Sequence, residues 1–192
     1  MSSDMKRDSV GSMAPSSRSV TGAAGEYHVA AQLSQRGWLA TVTIKNAPRT
    51  DVLAQHVETG QVIAIQTKTS SGGNVFRLTE ANEKPSQQEN EWFVFVQLQG
   101  PENRPCFFVV PHNHVAAMTF TGYRNWLRIP ARDGGGHKKS PIRGLHRSAL
   151  AGYEEKWDLL SLDASDVAYL GDRDLVERFG LPPGHPGLGS TV

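Results

Sequence analysis

The sequence predicts an α/β protein in which a central mixed β-sheet is flanked by helices. Three observations lead to this prediction: an Ala-rich stretch with helical periodicity near the start, three β-rich stretches after it, and two strongly apolar stretches further on. Helices and strands that are apolar on one side must bury that side against each other, and a sheet covered by helices achieves this. The chain has 192 residues, enough for one such domain with tails.

The first predicted helix spans residues 21–37. Thr21 is a residue type that caps helix N-termini, and Gly37 is a typical helix stop. Positions three and four apart share a helix face, and the stripe so formed contains Ala23, Glu26, Val29, Ala30 and Leu33. A carboxylate on an apolar stripe is costly unless it is paired or bound to a cation. Glu26 is therefore a candidate site residue, although a position at the exposed margin of the stripe would also explain it.

Five strands are predicted from β-rich or apolar runs. The first three cover residues 38–44, 50–57 and 61–69, and a turn signal, Glu58-Thr59-Gly60, joins the last two into a hairpin. Two buried strands are expected at residues 92–98 and 106–110. The remaining segments are expected to form a loop or short helix at 79–90 and helices within 111–120, 146–156 and 164–179.

The predicted domain organisation is one core with tails. Residues 1–20 are Ser-rich without an apolar period and are expected to be disordered. One α/β domain is placed at residues 21–160, followed by a C-terminal helical extension at 161–180. Residues 181–192 open with Leu-Pro-Pro-Gly and are expected to form a second disordered tail.

Composition excludes several classes of protein. The formal net charge is +1, so affinity for a polyanion has to come from local basic patches. Cys106 is the only cysteine, which rules out an intrachain disulfide and any zinc site with several cysteines. The N-terminus lacks the apolar stretch of a signal peptide, and no segment reaches the roughly 18 apolar residues that span a bilayer. We therefore expect a cytoplasmic protein with no membrane partner.

The residues able to do chemistry lie on the predicted hairpin. If its loop is even-numbered and centred in the turn signal, Asp51 lies opposite Lys68, and Leu53 lies opposite Gln66. Side chains alternate along a strand, so all four would share one face of the sheet. A carboxylate, an amide and an ammonium would then converge within roughly 5–8 Å, as in a functional site. An Asp–Lys ion pair on a solvated face is the simpler alternative.

These residues resemble a known pattern. Three stretches carry the pattern: Gly25-Glu26 in an opening helix, Arg49-Thr50-Asp51-Val52-Leu53, and Ile63-Ala64-Ile65-Gln66-Thr67-Lys68-Thr69. Together they resemble the PD-(D/E)xK nuclease superfamily, especially its Mrr-type and Holliday-junction-resolvase-like branches. The resemblance covers roughly residues 21–110 and implies a restriction-endonuclease-like core. Two positions depart from the pattern: Thr50 replaces the proline, and Gln66 takes the place of the second acidic residue.

The resemblance also implies an activity and a site. In that superfamily the aspartate and the D/E residue bind Mg²⁺, the lysine activates water or stabilises the transition state, and the helix glutamate often completes the metal site. Carried over, the catalytic residues are Asp51, Gln66, Lys68 and Glu26, with Asp51, Gln66 and Glu26 as ligands of Mg²⁺ or Mn²⁺. A neutral amide binds a hard cation less strongly than a carboxylate does. The implied reaction is phosphodiester hydrolysis of DNA, or less readily RNA, and a homodimer is left open.

Other motifs give weaker indications. Lys138, Lys139, Arg143 and Arg147 form a basic cluster that would suit phosphate contacts or a solvated loop equally. Trp126 and Trp157 would suit base stacking, although core packing is the commoner use of such residues. The tripeptide His112-Asn113-His114 spells the name of the HNH nucleases, but their residues are dispersed over a ββα unit, so chance explains it better.

Three functions remain open on the sequence alone. The first is a metal-dependent nuclease acting on DNA. The second is a catalytically inactive nuclease-fold module that binds nucleic acid or a protein partner, which the amide at position 66 would favour. The third is a protein-interaction component in which the Asp51–Lys68 pair is merely structural. Metal binding separates the first from the others, and nucleic-acid binding in the presence of chelator separates the second from the third.

Overall fold

The computed structural model describes residues 18–44 and 49–188. Its helices and strands, in chain order, are α1 (Arg18–Ser34), β1 (Trp38–Val42), β2 (Val52–His56), β3 (Val62–Ser70), β4 (Val75–Thr79), β5 (Glu91–Gln97), β6 (Cys106–Pro111), α2 (His112–Arg128), β7 (Ile142–His146) and α3 (Arg173–Phe179). Short 3₁₀ turns cover Glu80–Glu83, Arg147–Tyr153 and Trp157–Ser161.

The central sheet is mixed, as the sequence predicted. Its strand order is β1-β2-β3-β5-β6, and only β3 and β5 run parallel. Strands β4 and β7 form a separate antiparallel ribbon. The ribbon was not predicted, because no strand was assigned to the residues of β4 and β7 lies within the basic cluster. Across the described residues, none of the helices combines the length and apolar character that crossing a bilayer requires.

Each face of the sheet is covered by its own apolar cluster. Helix α1 packs Val29 and Leu33 against Ile63 and Ile65 of β3. The ribbon and α2 cover the opposite face, where Phe93 and Phe95 of β5 meet the buried residues Phe76, Leu78, Val115 and Leu145. Strand β5 is buried along its whole length, which explains its continuous apolar sequence.

Helix α1 lies unusually close to β3. A Cβ atom built on Gly25 would come within 1.9 Å of the hydroxyl oxygen of Thr69, so only glycine allows this approach. Thr69 Oγ1 is buried and finds no hydrogen-bond partner among the residues that the structure describes, which agrees with a helix backbone packed closely over it. This close approach fixes the first turns of α1 next to the C-terminal half of β3.

The predicted tails and boundaries need correction. Residues 18–20 belong to α1, whereas residues 1–17 lie outside the described part of the chain. The predicted helical extension is mostly irregular and belongs to the core, because Val167 and Tyr169 are buried and only Arg173–Phe179 is helical. Residues 181–188 also pack on the domain: Leu181 and Leu188 contact the second apolar cluster, and residues 189–192 are not described.

Gly25→Ala should lower the free energy of unfolding by about 1–3 kcal/mol, since the new methyl group overlaps a packed side chain. Gly22→Ala is the matched control: its Cβ would meet nothing closer than 3.9 Å, so the gain in helix propensity should leave stability equal or higher. Chemical denaturation measures both. Adding Thr69→Ala to Gly25→Ala should recover part of the stability, and equal effects of the two glycine substitutions would contradict the close approach of α1 to β3.

Candidate active site

The register of the β2–β3 hairpin brings the predicted residues onto one face. Val52 pairs with Ile65 and Leu53 with Ala64, and beyond this last pair Asp51 also donates its backbone N–H to the carbonyl of Ile65. The prediction that Asp51 lies directly opposite Lys68 is therefore wrong, because the pairs of the ladder lie two residues away from the predicted register. Gln66 and Lys68 alternate with the buried Ile65 and Thr67 and share one face of β3, and Asp51 is close enough for its charge to act on Lys68. The error arose from the turn, where residues 57–60 form a longer loop than the sequence suggested.

The Asp51 side chain accepts a backbone hydrogen bond from β3 beyond the point where β2 pairs with that strand. Strand β3 continues beyond its last pair with β2, and the backbone N–H of Thr67 donates to Asp51 Oδ2 at 2.7 Å. Asp51 itself donates its backbone N–H to the carbonyl of Ile65 at 2.8 Å. The carboxylate is thereby held beside the strand segment that bears Gln66 and Lys68. A charge-assisted bond of this kind typically stabilises a protein by about 1.5–3 kcal/mol.

Lys68 lies half-buried on the same face. Its Cα is paired with that of Phe95, and the ribbon covers this part of the sheet. Burial lowers the pKa of the Lys68 ammonium, and the negative charge of Asp51 opposes that shift. A lysine with a lowered pKa beside a carboxylate is the kind of residue that concentrates at functional sites.

Gln66 is oriented by a residue that the sequence did not single out. Asn82, in the 3₁₀ turn after β4, donates its amide to Gln66 Oε1 at 3.4 Å. The other end of the Asn82 side chain is fixed, since its Oδ1 accepts the backbone N–H of Thr79 at 2.9 Å. The turn therefore forms one wall of the site. Its Glu80 and Glu83 are engaged with Arg143 instead of with the site.

Glu26 lies on the other side of β3. It follows Gly25 in α1, which packs on the face of Thr69, and it is half-buried at the margin of the apolar stripe. A Cβ built on Gly22 would lie 3.9 Å from Glu26 Oε1, so the carboxylate extends back toward the N-terminus of the helix. The structure thus assembles three of the four predicted residues on one face and places Glu26 where α1 meets β3.

A buried polar chain adjoins the site and was missed. Arg49 Nη2 lies 3.0 Å from His112 Nε2, and His112 Nδ1 lies 3.7 Å from a carboxylate oxygen of Glu91. His112 and Glu91 are only 4% and 8% exposed. Burial lowers the pKa of His112, whereas the nearby Glu91 raises it. The only sequence signal was an arginine two residues before Asp51 and a histidine just after a buried strand.

The neighbouring His114 belongs to the core. Its Nδ1 lies 3.0 Å from the hydroxyl of Tyr153, and its ring packs edge-on against Tyr169 at 5.2 Å. Burial is the main reason why the pKa of His114 falls to about 4. The HNH letters therefore mark no metal unit, because the two histidines face different surroundings.

The predicted basic cluster is divided by the structure. Arg143 is 5% exposed, and its guanidinium forms an ion pair with Glu83 and stacks on Tyr123. Arg147 pairs with Glu154 at 3.0 Å. The prediction that Arg143 contacts phosphate is wrong for this arrangement, because its charge is buried and paired. Lys138 and Lys139 are exposed and remain candidates.

The oxygen donors present suit a hard divalent cation, although they are few. Within the described ranges no three His, Cys, Asp or Glu side chains are grouped to hold a metal ion. Asp51 and Gln66 offer a carboxylate and an amide oxygen, and the carboxylate is bound to the N–H of Thr67, the residue next to Gln66. Mg²⁺ commonly binds to one or two carboxylates plus waters and a substrate phosphate, so this pair fits such a cation when substrate completes the set.

Comparisons with known proteins find similarity in structure only. No protein-family model matches the sequence, and neither does any curated protein sequence. Among solved structures, the bacterial homing endonuclease I-Ssp6803I superposes with a TM-score of 0.46 and 14% identity, over 75% of this chain and 91% of that chain. Hjc, a Holliday junction resolvase from the archaeal hyperthermophile Archaeoglobus fulgidus, gives a TM-score of 0.40 and 11% identity, over 68% and 87%.

Identities and TM-scores this low do not assign an activity to the chain, so its function has to be inferred from its own residues.

His114 should make stability depend on pH. Its pKa is about 4 in the folded protein against roughly 6.5 in an unfolded chain, so only the unfolded state takes up a proton as the pH falls through that interval. Stability should therefore drop by about 2 kcal/mol between about pH 7.5 and pH 5 from this residue. Urea denaturation at both pH values measures the drop. In the His114→Phe variant the drop in stability between the two pH values should be smaller, because only the other titrating groups still contribute to it. The same drop in the variant and in wild type would contradict a lowered pKa of His114.

Proposed function

We propose that the protein is a divalent-cation-dependent nuclease that hydrolyses phosphodiester bonds in DNA. The observation that supports this most strongly is the grouping of Asp51, Gln66 and Lys68 on one sheet face, with the carboxylate fixed by the Thr67 N–H and the lysine half-buried beside it. Phosphodiester hydrolysis with a cation and a lysine needs oxygen donors and a positive group held at close range.

Lys68 is proposed to stabilise negative charge on the reacting phosphate. Its surroundings disfavour the charged ammonium, and Asp51 restores part of that stability. An incoming phosphodiester would add a second negative partner. The ammonium would then bind the dianionic transition state more strongly than the monoanionic ground state, which is the condition for a rate increase.

Asp51 and Gln66 are proposed to hold Mg²⁺ or Mn²⁺. Asp51 Oδ2 accepts the Thr67 N–H, so the second carboxylate oxygen is the one that would face the cation. When bound, the cation would supply positive charge to the scissile phosphate. Glu26 was the fourth residue implied by the resemblance, and because it lies on the α1 side of β3 the proposed cation site is formed by Asp51 and Gln66.

The DNA-binding surface is proposed to extend across Lys138 and Lys139. Their segment is attached to α2 through His137, which stacks on Trp126 with ring centroids 3.8 Å apart. Trp126 is 39% exposed, unlike Trp157, which is buried in the core. The slope of log affinity against log salt measures phosphate binding directly, and it should fall by roughly one unit for each lysine replaced by alanine.

One observation favours a second candidate, an inactive module that binds nucleic acid. Position 66 is a neutral amide, and Asn82 already donates a hydrogen bond to its oxygen. A protein that binds DNA in chelator but cleaves none of the substrates below would fit this candidate.

Asp51→Asn tests the proposed nuclease. The asparagine can still accept the Thr67 N–H but has no charge, so folding should survive with a loss of about 1 kcal/mol while cleavage is abolished. Lys68→Met should also abolish cleavage without preventing Mn²⁺ binding. The stability of this variant should match that of wild type, because an apolar side chain replaces a half-buried ammonium. The assay uses single-stranded, duplex and branched DNA with Mg²⁺ or Mn²⁺, with thermal melts alongside.

Asp51→Ala is the control for structure. It leaves the Thr67 N–H without its acceptor and should cost about 1–3 kcal/mol more than Asp51→Asn does. Full cleavage by Asp51→Asn, or no cleavage of any substrate by wild type, would contradict the proposal. Gln66→Glu should tighten Mn²⁺ binding if this side chain is a ligand.

A further inference from the structure

Arg49 is held in a conformation that its neighbours impose. Its backbone φ is 65°, in the left-handed region that residues other than glycine rarely adopt. Such positions are energetically costly and concentrate where function requires a particular geometry. Two residues further on, Asp51 is fixed on β3, and on the other side the Arg49 side chain reaches His112.

The hydrogen bond between Arg49 and His112 requires one tautomer of the imidazole. His112 Nε2 lies 3.0 Å from Arg49 Nη2, which can only donate, and 3.1 Å from the carbonyl oxygen of Lys84, which can only accept. A neutral ring can satisfy one of the two at a time. Accepting from Arg49 requires the proton to be on Nδ1.

Glu91 selects that tautomer. Its carboxylate faces His112 Nδ1 at 3.7 Å and therefore favours a proton on that nitrogen. The carboxylate is itself fixed, because Oε2 accepts the Ser86 hydroxyl at 2.6 Å and the Gln87 N–H at 3.3 Å. The charge of Glu91 therefore favours the tautomer of His112 that can accept a hydrogen bond from Arg49.

The guanidinium of Arg49 contacts the imidazole of His112. Among the described residues, no carboxylate forms an ion pair with its guanidinium, since the neutral imidazole separates it from Glu91. Arginine stays protonated and carries five N–H donors, and His112 engages only one nitrogen of the guanidinium. Its remaining donors form a planar fork that suits phosphate oxygens.

We propose that Arg49 is a phosphate-binding residue of the candidate site and that His112, backed by Glu91, is the positioning residue that holds it. The proposal rests on the proposed function, because the phosphate it requires is that of a nucleic-acid backbone bound over Asp51 and Lys68. It assigns a role to the first histidine of the tripeptide and none to the second.

The test measures binding of a fluorescent DNA duplex and a four-way DNA junction to the full chain in EDTA, by anisotropy over a range of salt. Arg49→Gln should weaken binding by roughly 10- to 100-fold, and the log–log salt slope should fall by about one unit. Arg49→Lys should retain the slope but recover only part of the affinity, because an ammonium lacks the fork. Unchanged affinity and slope in Arg49→Gln would overturn the proposal.

The histidines provide a matched pair of variants. His112→Phe should weaken binding, and adding Arg49→Gln to it should have little further effect, since both remove the same hydrogen bond. His114→Phe removes an equally buried imidazole and should lower stability without changing DNA affinity. Additive effects of the Arg49 and His112 substitutions would show that His112 does not act through Arg49.

The outcomes also separate this proposal from the nuclease. Arg49-dependent binding without cleavage under any condition would reject the nuclease and keep the role of Arg49 in phosphate binding. Cleavage and binding that are unaffected by Arg49→Gln would keep the nuclease and reject the role of Arg49 in phosphate binding. Failure of wild type to bind either DNA would overturn both.

Discussion

The candidate site depends on the point at which β3 extends beyond β2. The last ladder pair of the two strands is Val52 with Ile65, yet β3 continues to Ser70 along β5. Beyond that point the free edge of β3 would present an unpaired backbone N–H at Thr67, and a buried unpaired donor typically costs about 1–3 kcal/mol. The carboxylate of Asp51 satisfies it. One structural requirement thus places a negative charge beside the β3 segment that bears Gln66 and Lys68.

The ribbon and α2, which pack on one face of the sheet, determine how far the surroundings of Asp51 and Lys68 are exposed to solvent. The ribbon and α2 bury the part of the face that belongs to β5, but they leave the β1–β2 part open, where Leu39 and Leu53 are 71% and 42% exposed. The site lies at the border between the two regions. Burial from one side lowers the pKa of Lys68, and the other side is open to solvent.

The sequence predicted the central part of the fold because periodicity and turn signals report local structure. Helix α1, the first hairpin, and the apolar strands β5 and β6 were recognisable from residues 21–110. The shared face of Asp51, Gln66 and Lys68 also followed, since a strand alternates whatever the exact length of the turn. The pairing partner of Asp51 did not follow, because it depends on the conformation of a loop of a few residues.

Interactions between distant segments could not be predicted from the sequence. Arg49 meets His112, 63 positions further along the chain, and nothing local indicates it. Arg143 looked available for phosphate until the fold brought Glu83 to it. Strands β4 and β7 pair only with each other, and neither has enough apolar residues to be recognised alone.

The proposed function stands or falls with a divalent-cation site formed by Asp51 and Gln66 on the open side of β3. Paramagnetic broadening of amide NMR signals by Mn²⁺ is its sharpest test, because the effect falls steeply with distance from the ion and needs no catalytic activity. We expect the amides of Asp51, Gln66 and Thr67 to broaden first, Asp51→Asn to remove the effect, and amides around His114 to stay sharp. Uniform weak broadening, or selective broadening at another cluster that persists in Asp51→Asn, would contradict the proposed site.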